Sequence, residues 1–348
     1  MAKYAKYFNY LLDLRNKDFF VIDSHVHPLD VLGLAINQNV DKEGELNKYF
    51  ISDLRKKSLA ERLKYGSIYK IIVRALTRLS PSLIESYINQ YYKDTSELHL
   101  RSQMRNSLVD KTTLVPLLPH VSTDELIHLY PNKNKHYYLG SADLADHQMT
   151  SERFMIDLER QLSLGICGIK MHPNIQQFHP NIKMNTGLLY DRLSSIFKFC
   201  DAHKLYILTH VGRTNFIGKK KKQYAIFKNY FQNNRIQILE DYNVNIVFAH
   251  LTKYAQIFSN RNFIDIAISR YGNRILFDTA GCSQGEIKNF VKRYGFDNIV
   301  FGSDAYYNSM NYSLQMCLVA IIDIKSSIPI ETRLRKVFHD NITSFIKR

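Results

Sequence analysis

The sequence lacks the features of a membrane or secreted protein. Across its 348 residues, no apolar run approaches the roughly 20 residues that a helix needs to cross a bilayer. Residues 1–17 carry scattered lysines and tyrosines but no apolar core and no small-residue cleavage site, which argues against a secretory signal. The few cysteines are far apart and form no Cys-x-x-Cys pair, so we expect reduced thiols in a cytoplasmic protein; they are Cys167, Cys200, Cys282 and Cys317.

Tryptophan is absent, and acidic residues are too few to balance the basic ones. The 47 Lys and Arg against 32 Asp and Glu give a net charge of +15, which suits an anionic partner. The alternative is that the high Lys, Asn, Ile and Tyr content reflects an AT-rich coding sequence rather than a function. The densest basic run, residues 219–222 (KKKK), has no interleaved aromatic residues, which favours a solvated loop over a nucleic-acid surface. We therefore expect a small-molecule partner, neither nucleic acid nor membrane, and a homo-oligomer is compatible with the sequence.

Helices alternate with fully apolar runs beyond residue 112, and most of these runs end in a polar residue. Such runs predict a buried parallel sheet. Eight strand–helix units close into a barrel of about 250 residues, which is close to the length left when residues 30–108 are set aside. A doubly wound open sheet is the alternative, but no Gly-rich phosphate loop follows any strand. The predicted fold is therefore α/β, a (β/α)8 TIM barrel.

The predicted elements have the following bounds. Strands are expected at residues 19–23, 113–118, 136–140, 168–172, 205–210, 244–250, 275–278 and 299–304. Helices are expected at residues 1–18, 193–203, 236–242, 263–271, 287–294 and 312–347, the last broken at Pro329, with one more helix capped by Ser151 and closed by Gly165.

The long segment of residues 30–108 follows the first predicted strand. Its leucines and isoleucines recur at helical spacing, and neither end carries a Gly/Ser linker. We therefore expect a single domain over residues 1–348, with residues 30–108 as a helical insertion that forms a lid over the site at the end of strand one. Its arginines are Arg74, Arg78, Arg101 and Arg105.

Histidines mark the ends of the strands. In a strand, residues i and i+2 point to one face, so His25 and His27 would present two imidazoles to one metal ion. Taken alone, this pair fits an edge strand with two incidental histidines better than a metal site. Later strand ends carry Lys170, His172, His210, His250 and Asp304, and the carboxyl ends of barrel strands converge on one mouth. A set of this kind, all in phase, predicts a metal site.

The motifs resemble those of a known family. They are residues 22–28 (IDSHVHP), 165–173 (GICGIKMHP), 208–213 (LTHVGR), 248–250 (FAH), 301–304 (FGSD) and 337–342 (VFHDNI). In this order the sequence is similar to the amidohydrolase superfamily of metal-dependent TIM-barrel hydrolases, and most similar to its amidohydrolase-2 branch. The motifs are specific for the superfamily and much less so for a substrate. The length of residues 30–108 departs from many members.

The resemblance implies a role for each strand-end residue. It makes His25, His27 and His210 metal ligands, and Asp304 a ligand that also accepts a proton from the activated water. It makes His250 either a ligand of a second metal or a free polarising and acid/base histidine. Chemistry agrees, since Zn²⁺ with an open position lowers the pKa of bound water to about 7.

Lys170 decides the number of metal ions. In several binuclear relatives, a lysine at the end of strand four is carboxylated and bridges two metals; an unmodified Lys170 would instead anchor a carboxylate or pair with Asp304. We expect one ion, Zn²⁺ or another divalent transition metal, and two if Lys170 is carboxylated. His172 is a candidate second-metal or substrate contact, and Arg213 a candidate substrate-binding residue whose alternative is a surface arginine.

Two acidic residues near the strand ends each have two alternative roles. Asp23 shares a face with His25 and His27, so it either supports the ligands or makes a buried structural hydrogen bond. Asp278 at the end of strand seven has the same two alternatives. The loop residues His120, His147 and His179 receive no role.

Three activities compete. The first is hydrolysis of a C–N or C–O bond in a small, carboxylate-bearing molecule, and the second is non-oxidative decarboxylation or hydration on the same site. The third is a TatD-like metal-dependent deoxyribonuclease. It ranks last because strand four ends in Lys170 where that group has glutamate, and strand eight reads Ser303-Asp304 where it has Thr-Asp. A non-catalytic scaffold would need a lost ligand, and none is lost.

Overall fold

Eight short parallel strands form the barrel. The computed structural model describes residues 5–15, 19–31, 94–144, 146, 148–212, 222–252 and 261–346. Each strand hydrogen-bonds to the next in chain order. The strands are β1 (Ile22–Val26), β2 (Lys111–Leu114), β3 (His136–Ser141), β4 (Gly168–Met171), β5 (Tyr206–Thr209), β6 (Ile246–Phe248), β7 (Ile275–Asp278) and β8 (Ile299–Val300).

Backbone hydrogen bonds between β1 and the segment after β8 close the circle. The Ser24 N–H donates to the Phe301 carbonyl at 3.0 Å, and the Asp304 N–H donates to the His25 carbonyl at 2.9 Å. The chain beyond β8 therefore runs beside β1. The predicted (β/α)8 TIM barrel is confirmed.

Helices surround the barrel. They are α1 (Ala5–Arg15), α2 (Glu97–Asn106), α3 (Thr123–Leu129), α4 (Ser151–Ser163), α5 (Gly187–His203), α6 (Gln237–Asp241), α7 (Arg261–Tyr271), α8 (Gln284–Tyr294), α9 (Met310–Ile322), α10 (Ile330–Arg335) and α11 (Asn341–Ile346). Reciprocal capping boxes, Ser122 with Glu125 and Ser283 with Glu286, begin α3 and α8. Within the described ranges, every helix is too short or too polar to span a bilayer.

The inside of the barrel is apolar at its lower end. Inward-facing strand side chains pack together there, and α11 covers them with two further residues. The cluster includes Ile22, Val115, Leu139, Leu208, Val247, Leu276 and Val300, closed by Ile342 and Phe345 of α11. This packing fills the amino-terminal end of the barrel, so a polar site has room only at the carboxyl-terminal mouth.

Several predicted boundaries are wrong. The first strand was expected at residues 19–23, but β1 covers Ile22–Val26 because its pairing with β2 continues past the polar residues. The eighth was expected at residues 299–304, but only Ile299–Val300 pair with β7, since the following residues turn onto β1. Thr150, rather than Ser151, caps α4, because its side chain accepts the Arg153 N–H.

The carboxyl-terminal tail is less regular than predicted. In place of one helix over residues 312–347 broken at Pro329, it forms α9, α10, a π-helical turn at Lys336–Asp340 and α11. Pro329 does mark a break, since it lies at the start of α10. Its fixed φ and missing N–H suit the position before a first helical turn.

Most of the predicted insertion, residues 32–93, lies outside the described residues, so the lid over the mouth stays a prediction. Its described end forms α2, where Leu100 and Met104 are buried. The His99 ring of this helix stacks on Tyr306, with ring centroids 5.7 Å apart and planes at 30°. The segment therefore returns to the barrel beside the residues that follow β8.

Gly168 at the start of β4 permits a close strand approach. A Cβ at this position would lie 2.5 Å from the Tyr206 carbonyl oxygen of β5, and backbone cannot move aside cheaply. We expect Gly168→Ala to lower the free energy of unfolding by about 1–3 kcal/mol, the usual cost of overpacking. Denaturant unfolding measures this.

Gly285 is the matched control. It lies in α8, where a Cβ would meet nothing within 4 Å, and alanine is the better helix former. Gly285→Ala should leave stability unchanged or slightly higher. Equal losses in the two variants would contradict the role of the close β4–β5 contact.

Candidate metal centre

Three predicted ligands meet at the mouth. The Nε2 atoms of His25 and His27 are 3.0 Å apart. The Asp304 Oδ1 lies 3.9 Å from the first and 3.8 Å from the second. In the described part of the chain, these three residues form the group whose ligand atoms all lie within 4.8 Å of one another. Ligands at about 2.0–2.2 Å from one ion are spaced on this scale, so the donor set fits a divalent metal.

Hydrogen bonds fix the tautomers of the two histidines. The His25 Nδ1 lies 2.8 Å from the Asp278 Oδ2, and the His27 Nδ1 lies 2.9 Å from the Val115 carbonyl oxygen. An acceptor at Nδ1 holds the ring proton there, so each Nε2 turns a lone pair into the site. Burial lowers the pKa of both imidazoles well below the ordinary value, which keeps them neutral.

Asp278 supports more than one element of the site. Its Oδ2 accepts from His25, while its Oδ1 accepts the N–H of His250 at 2.7 Å and the N–H of Ala280 at 3.0 Å. This fully buried carboxyl therefore ties together the ends of β1, β6 and β7. Burial raises its pKa, although His250 and Lys170 lower it in part. Of the two alternatives for Asp278, the contacts match support of a predicted ligand, His25.

Asp23 lies behind the site. Its Oδ1 accepts the N–H of His25 at 3.2 Å and the N–H of Ser303 at 2.9 Å, so it holds backbone rather than an imidazole. Burial raises the pKa of Asp23 to about 7, although those hydrogen bonds lower it in part. The contacts match the alternative of a buried structural hydrogen bond, which fixes the chain on either side of the ligands.

His210 and His250 form a second imidazole pair. The His210 Nδ1 is 3.1 Å from the His250 Nε2, and the His250 Nδ1 is 3.0 Å from the Ala280 carbonyl oxygen. The His250 ring lies 5.5 Å from the His25 ring, centroid to centroid. His210 is thus next to the three-residue group through His250 but is not a member of it, and ligation by His210 stays a prediction.

Two site residues have a left-handed backbone. Asp304 has φ of 61° and His250 has φ of 65°, values that non-glycine residues rarely adopt. Such conformations cost of order 1–3 kcal/mol and persist where the surroundings impose them. Here hydrogen bonds from the Asp304 N–H to His25 and from the His250 N–H to Asp278 hold both residues. The turns aim both side chains into the mouth.

Lys170 lies beside the His25 imidazole. It is the penultimate residue of β4, is 2% exposed, and its Nζ is 3.2 Å from the His25 Nε2. Burial lowers the pKa of its ammonium to about 8, although the carboxylates of Asp278 and Asp304 raise it in part. The lysine is therefore placed either to anchor an anion or to join the metal centre.

Two predicted site residues remain, and the structure describes only one of them. His172 is buried at the end of β4 and stacks on His210, with ring centroids 4.0 Å apart and planes at 9°. Arg213 lies outside the described residues, so its part in substrate binding stays a prediction. The sequence left the role of Asp278, which contacts His25, His250 and Ala280, undecided. Its position at a strand end was the only indication of that role in the sequence.

Removing the charge of Asp278 should weaken metal binding. Asn at this position offers an amide N–H where the His25 Nδ1–H needs an acceptor, so the wrong tautomer is favoured. Loss of such a supporting contact typically costs about 10–100-fold in metal affinity. We expect this loss for Asp278→Asn, measured by competition with a chromogenic chelator.

Asp191→Asn is the matched control, because Asp191 is exposed on α5. It should bind metal as the wild type does. Unchanged metal affinity in Asp278→Asn would contradict the proposed support of His25.

The comparisons agree with the fold. The family model described as amidohydrolase matches residues 22–347. No curated protein matches the sequence.

Solved structures with similar folds include three enzymes. One is 5-carboxyvanillate decarboxylase from Novosphingobium aromaticivorans, with manganese bound (15% identity, 95% of this chain, 97% of that chain, TM-score 0.56). Another is 4-oxalomesaconate hydratase from Rhodopseudomonas palustris (13%, 94%, 96%, TM-score 0.54). The third is a probable 2-pyrone-4,6-dicarboxylic acid hydrolase from Acinetobacter baumannii, with citric acid bound (10%, 95%, 100%, TM-score 0.54). At such identities the likeness shows the fold alone. Because the family model covers nearly the whole sequence, from β1 to the end of α11, the chain belongs to the amidohydrolase family.

Proposed function

We propose that the protein is a metal-dependent hydrolase that directs water onto a C–N or C–O bond of a small, carboxylate-bearing substrate. The observation that carries this proposal is the convergence of the Nε2 atoms of His25 and His27 with the Asp304 Oδ1. Membership of the amidohydrolase family supports it.

The proposed ligands of one divalent ion are His25, His27 and Asp304, with His210 as a further ligand. Two or three imidazoles and one carboxylate suit Zn²⁺, while the decarboxylase from N. aromaticivorans was solved with manganese. We therefore propose Zn²⁺ or another divalent transition metal. When bound, such an ion acts as a Lewis acid and lowers the pKa of a coordinated water towards about 7.

The protein side chains supply proton transfer and orientation. The Asp304 side chain is 16% exposed, so its carboxylate reaches the mouth, where it takes a proton from the attacking water and passes it to the leaving group. His250 presents an unprotonated Nε2, because its Nδ1–H is held by the Ala280 carbonyl, so it serves as a proton acceptor. Lys170 remains a buried cation able to anchor a substrate carboxylate.

The nature of the substrate rests on charge. Lys170 brings a cation beside the His25 imidazole, and an anionic group is what such a position attracts. The similar structures were solved with, or are named for, carboxylates: citric acid, carboxyvanillate and oxalomesaconate. A carboxylate-bearing substrate therefore fits both the charge of Lys170 and the carboxylates of the similar structures.

Decarboxylation or hydration on the same site is the second candidate, favoured by the shared fold of a carboxyvanillate decarboxylase and an oxalomesaconate hydratase. A panel of esters, lactones, amides and hydroxylated aromatic acids separates these activities. Acid release from the first three classes supports the hydrolase, and CO₂ release from the last supports the decarboxylase.

Chelator treatment tests the metal directly. Because the proposed ion is what lowers the pKa of the water, incubation with a chelator should abolish turnover, and added Zn²⁺ or Mn²⁺ should restore it. Metal content measured on the same samples identifies the ion. Full activity in protein shown to be free of metal would contradict the proposal.

A second ion is the alternative that the His210–His250 pair raises. Their facing nitrogens are 3.1 Å apart, much like the 3.0 Å between the His25 and His27 nitrogens. Two imidazoles need a further ligand, however, and the bridging ligand expected at this place is Lys170. An ammonium cannot ligate a cation, so a second ion requires a carboxylated Lys170. We propose the single-ion site.

His250→Ala distinguishes the two arrangements. With one ion, metal content should stay near that of the wild type while turnover falls about 10²–10⁴-fold, the usual cost of losing a positioned acid/base group. His128→Ala, on the exposed surface of α3, is the control and should change neither quantity. Close to two ions per wild-type chain, with extra density on the Lys170 Nζ, would overturn the single-ion proposal.

Other expectations from the sequence stay proposals. They are the cytoplasmic location, the single domain over residues 1–348, and the lid formed by residues 30–108. The four cysteines are free thiols, and three of them are buried, which is compatible with a reducing compartment.

A further inference from the structure

The ring of His172 is oriented by a backbone donor. The Ile175 N–H lies 3.3 Å from the His172 Nδ1 and can only donate. The Nδ1 therefore holds the lone pair, and the single proton of the neutral ring lies on Nε2. Geometry alone assigns this tautomer.

This tautomer is the reverse of that in three neighbouring histidines. His25, His27 and His250 each have an acceptor at Nδ1, namely the Asp278 carboxylate, the Val115 carbonyl and the Ala280 carbonyl. Their Nε2 atoms therefore carry lone pairs. A metal binds an unprotonated nitrogen, so the Nε2 of His172 is a donor where the other three are potential ligands.

The surrounding loop holds the His172 ring in place. The His172 N–H donates to the Gln176 Oε1 at 2.8 Å, and the Gln176 N–H donates back to the His172 carbonyl at 2.9 Å. The Gln176 Nε2 in turn donates to the Ala142 carbonyl at 2.8 Å, which ties this loop to the one after β3. The ring also lies flat on His210. A ring flip would break the Ile175 contact.

The His172 Nε2–H has no acceptor among the described residues. Among the residues that the structure describes, none accepts a hydrogen bond from the His172 Nε2, and the residue is only 6% exposed. A ligand oxygen at this point would therefore gain a hydrogen bond that no described residue supplies. Lys170 lies two residues earlier, near the end of β4.

We propose that His172 donates from Nε2 to an oxygen of the carboxylate-bearing substrate, beside the charge of Lys170, and that it is not a metal ligand. This rests on the proposed function and deepens it by naming a neutral, directional donor in the substrate site. Gln176 is a positioning residue that acts through the His172 backbone.

The tautomer is tested without any substrate. Protein labelled with ¹⁵N-histidine gives long-range ¹H–¹⁵N correlations that distinguish the two neutral tautomers, and the His172→Phe variant identifies the signal by its loss. We expect His172 with the proton on Nε2. A proton on Nδ1, or on both nitrogens, would overturn the proposal, and loss of the same signal in His172→Gln gives the assignment if His172→Phe folds poorly.

Binding measurements on two variants distinguish the contribution of the His172 N–H from that of its ring. His172→Phe keeps a flat ring against His210 without an N–H, while His172→Gln keeps an N–H near Nε2 without the ring. Metal-loaded proteins are titrated calorimetrically with 2,6-dihydroxybenzoate, 4-hydroxy-3-methoxy-5-nitrobenzoate and glutarate. We expect His172→Phe to bind about 10- to 100-fold more weakly at unchanged metal content, and His172→Gln to recover part of the loss.

His179→Phe is the matched control. His179 lies in the same loop, and its Nδ1 also accepts a backbone N–H, from Asn181 at 3.1 Å, but its ring lies beside Tyr224 rather than beside a proposed site residue. It should bind the probes as the wild type does.

The outcomes distinguish this inference from the proposed function. Equal probe binding by His172→Phe and the wild type overturns the role of His172 alone. Loss of metal from His172→Phe overturns it as well, since the residue would then act on the metal. If the metal-loaded wild type binds no probe, the carboxylate substrate class fails, and the donor role fails with it.

Discussion

A single buried carboxylate, that of Asp278, connects the strands that build the site. Burying an ionised group is unfavourable unless hydrogen bonds replace its water, and Asp278 receives these from His25, His250 and Ala280. Each of these bonds also determines something functional. One sets the tautomer of His25, and another holds the left-handed backbone from which the His250 side chain projects. The hydrogen bonds that stabilise the buried charge of Asp278 therefore also set the geometry of the site.

Barrel closure brings the proposed carboxylate ligand, Asp304, to the histidines. Only two residues of β8 pair with β7, after which the chain crosses to β1, so the Asp304 N–H bonds to the His25 carbonyl. Asp23 also links the two segments, because its Oδ1 accepts hydrogen bonds from the His25 N–H and the Ser303 N–H. Packing at the opposite end, where α11 covers the barrel interior with Ile342 and Phe345, confines polar groups to the mouth. The histidine pair and Asp304 therefore meet because the sheet closes there.

The sequence predicts the barrel and most strand-end residues because apolar runs and the polar residues after them are local patterns. Tautomers are not local. The acceptor for the His25 Nδ1 comes from β7, 253 residues away, so the role of Asp278 needs the closed barrel to become visible. The limits of β1 were misjudged for a related reason, since pairing with β2 carries the strand past Asp23 into residues whose polarity suggests an end. Capping by Thr150 rather than Ser151 differs by a single residue, within the usual uncertainty of helix ends.

The partner at Nδ1 sorts the histidines of the mouth by function. A carbonyl or carboxylate acceptor fixes the proton on Nδ1 and leaves Nε2 as a Lewis base, which suits metal binding or proton abstraction. A backbone N–H at Nδ1 does the reverse and makes Nε2 a donor, which suits recognition of a substrate oxygen. Because β4 is followed directly by the turn that supplies the Ile175 N–H, one short segment offers both the cation of Lys170 and the donor of His172. Charge attracts a carboxylate from any direction, whereas a fixed N–H accepts it in one orientation, so the pair combines attraction with alignment of the bond to be broken.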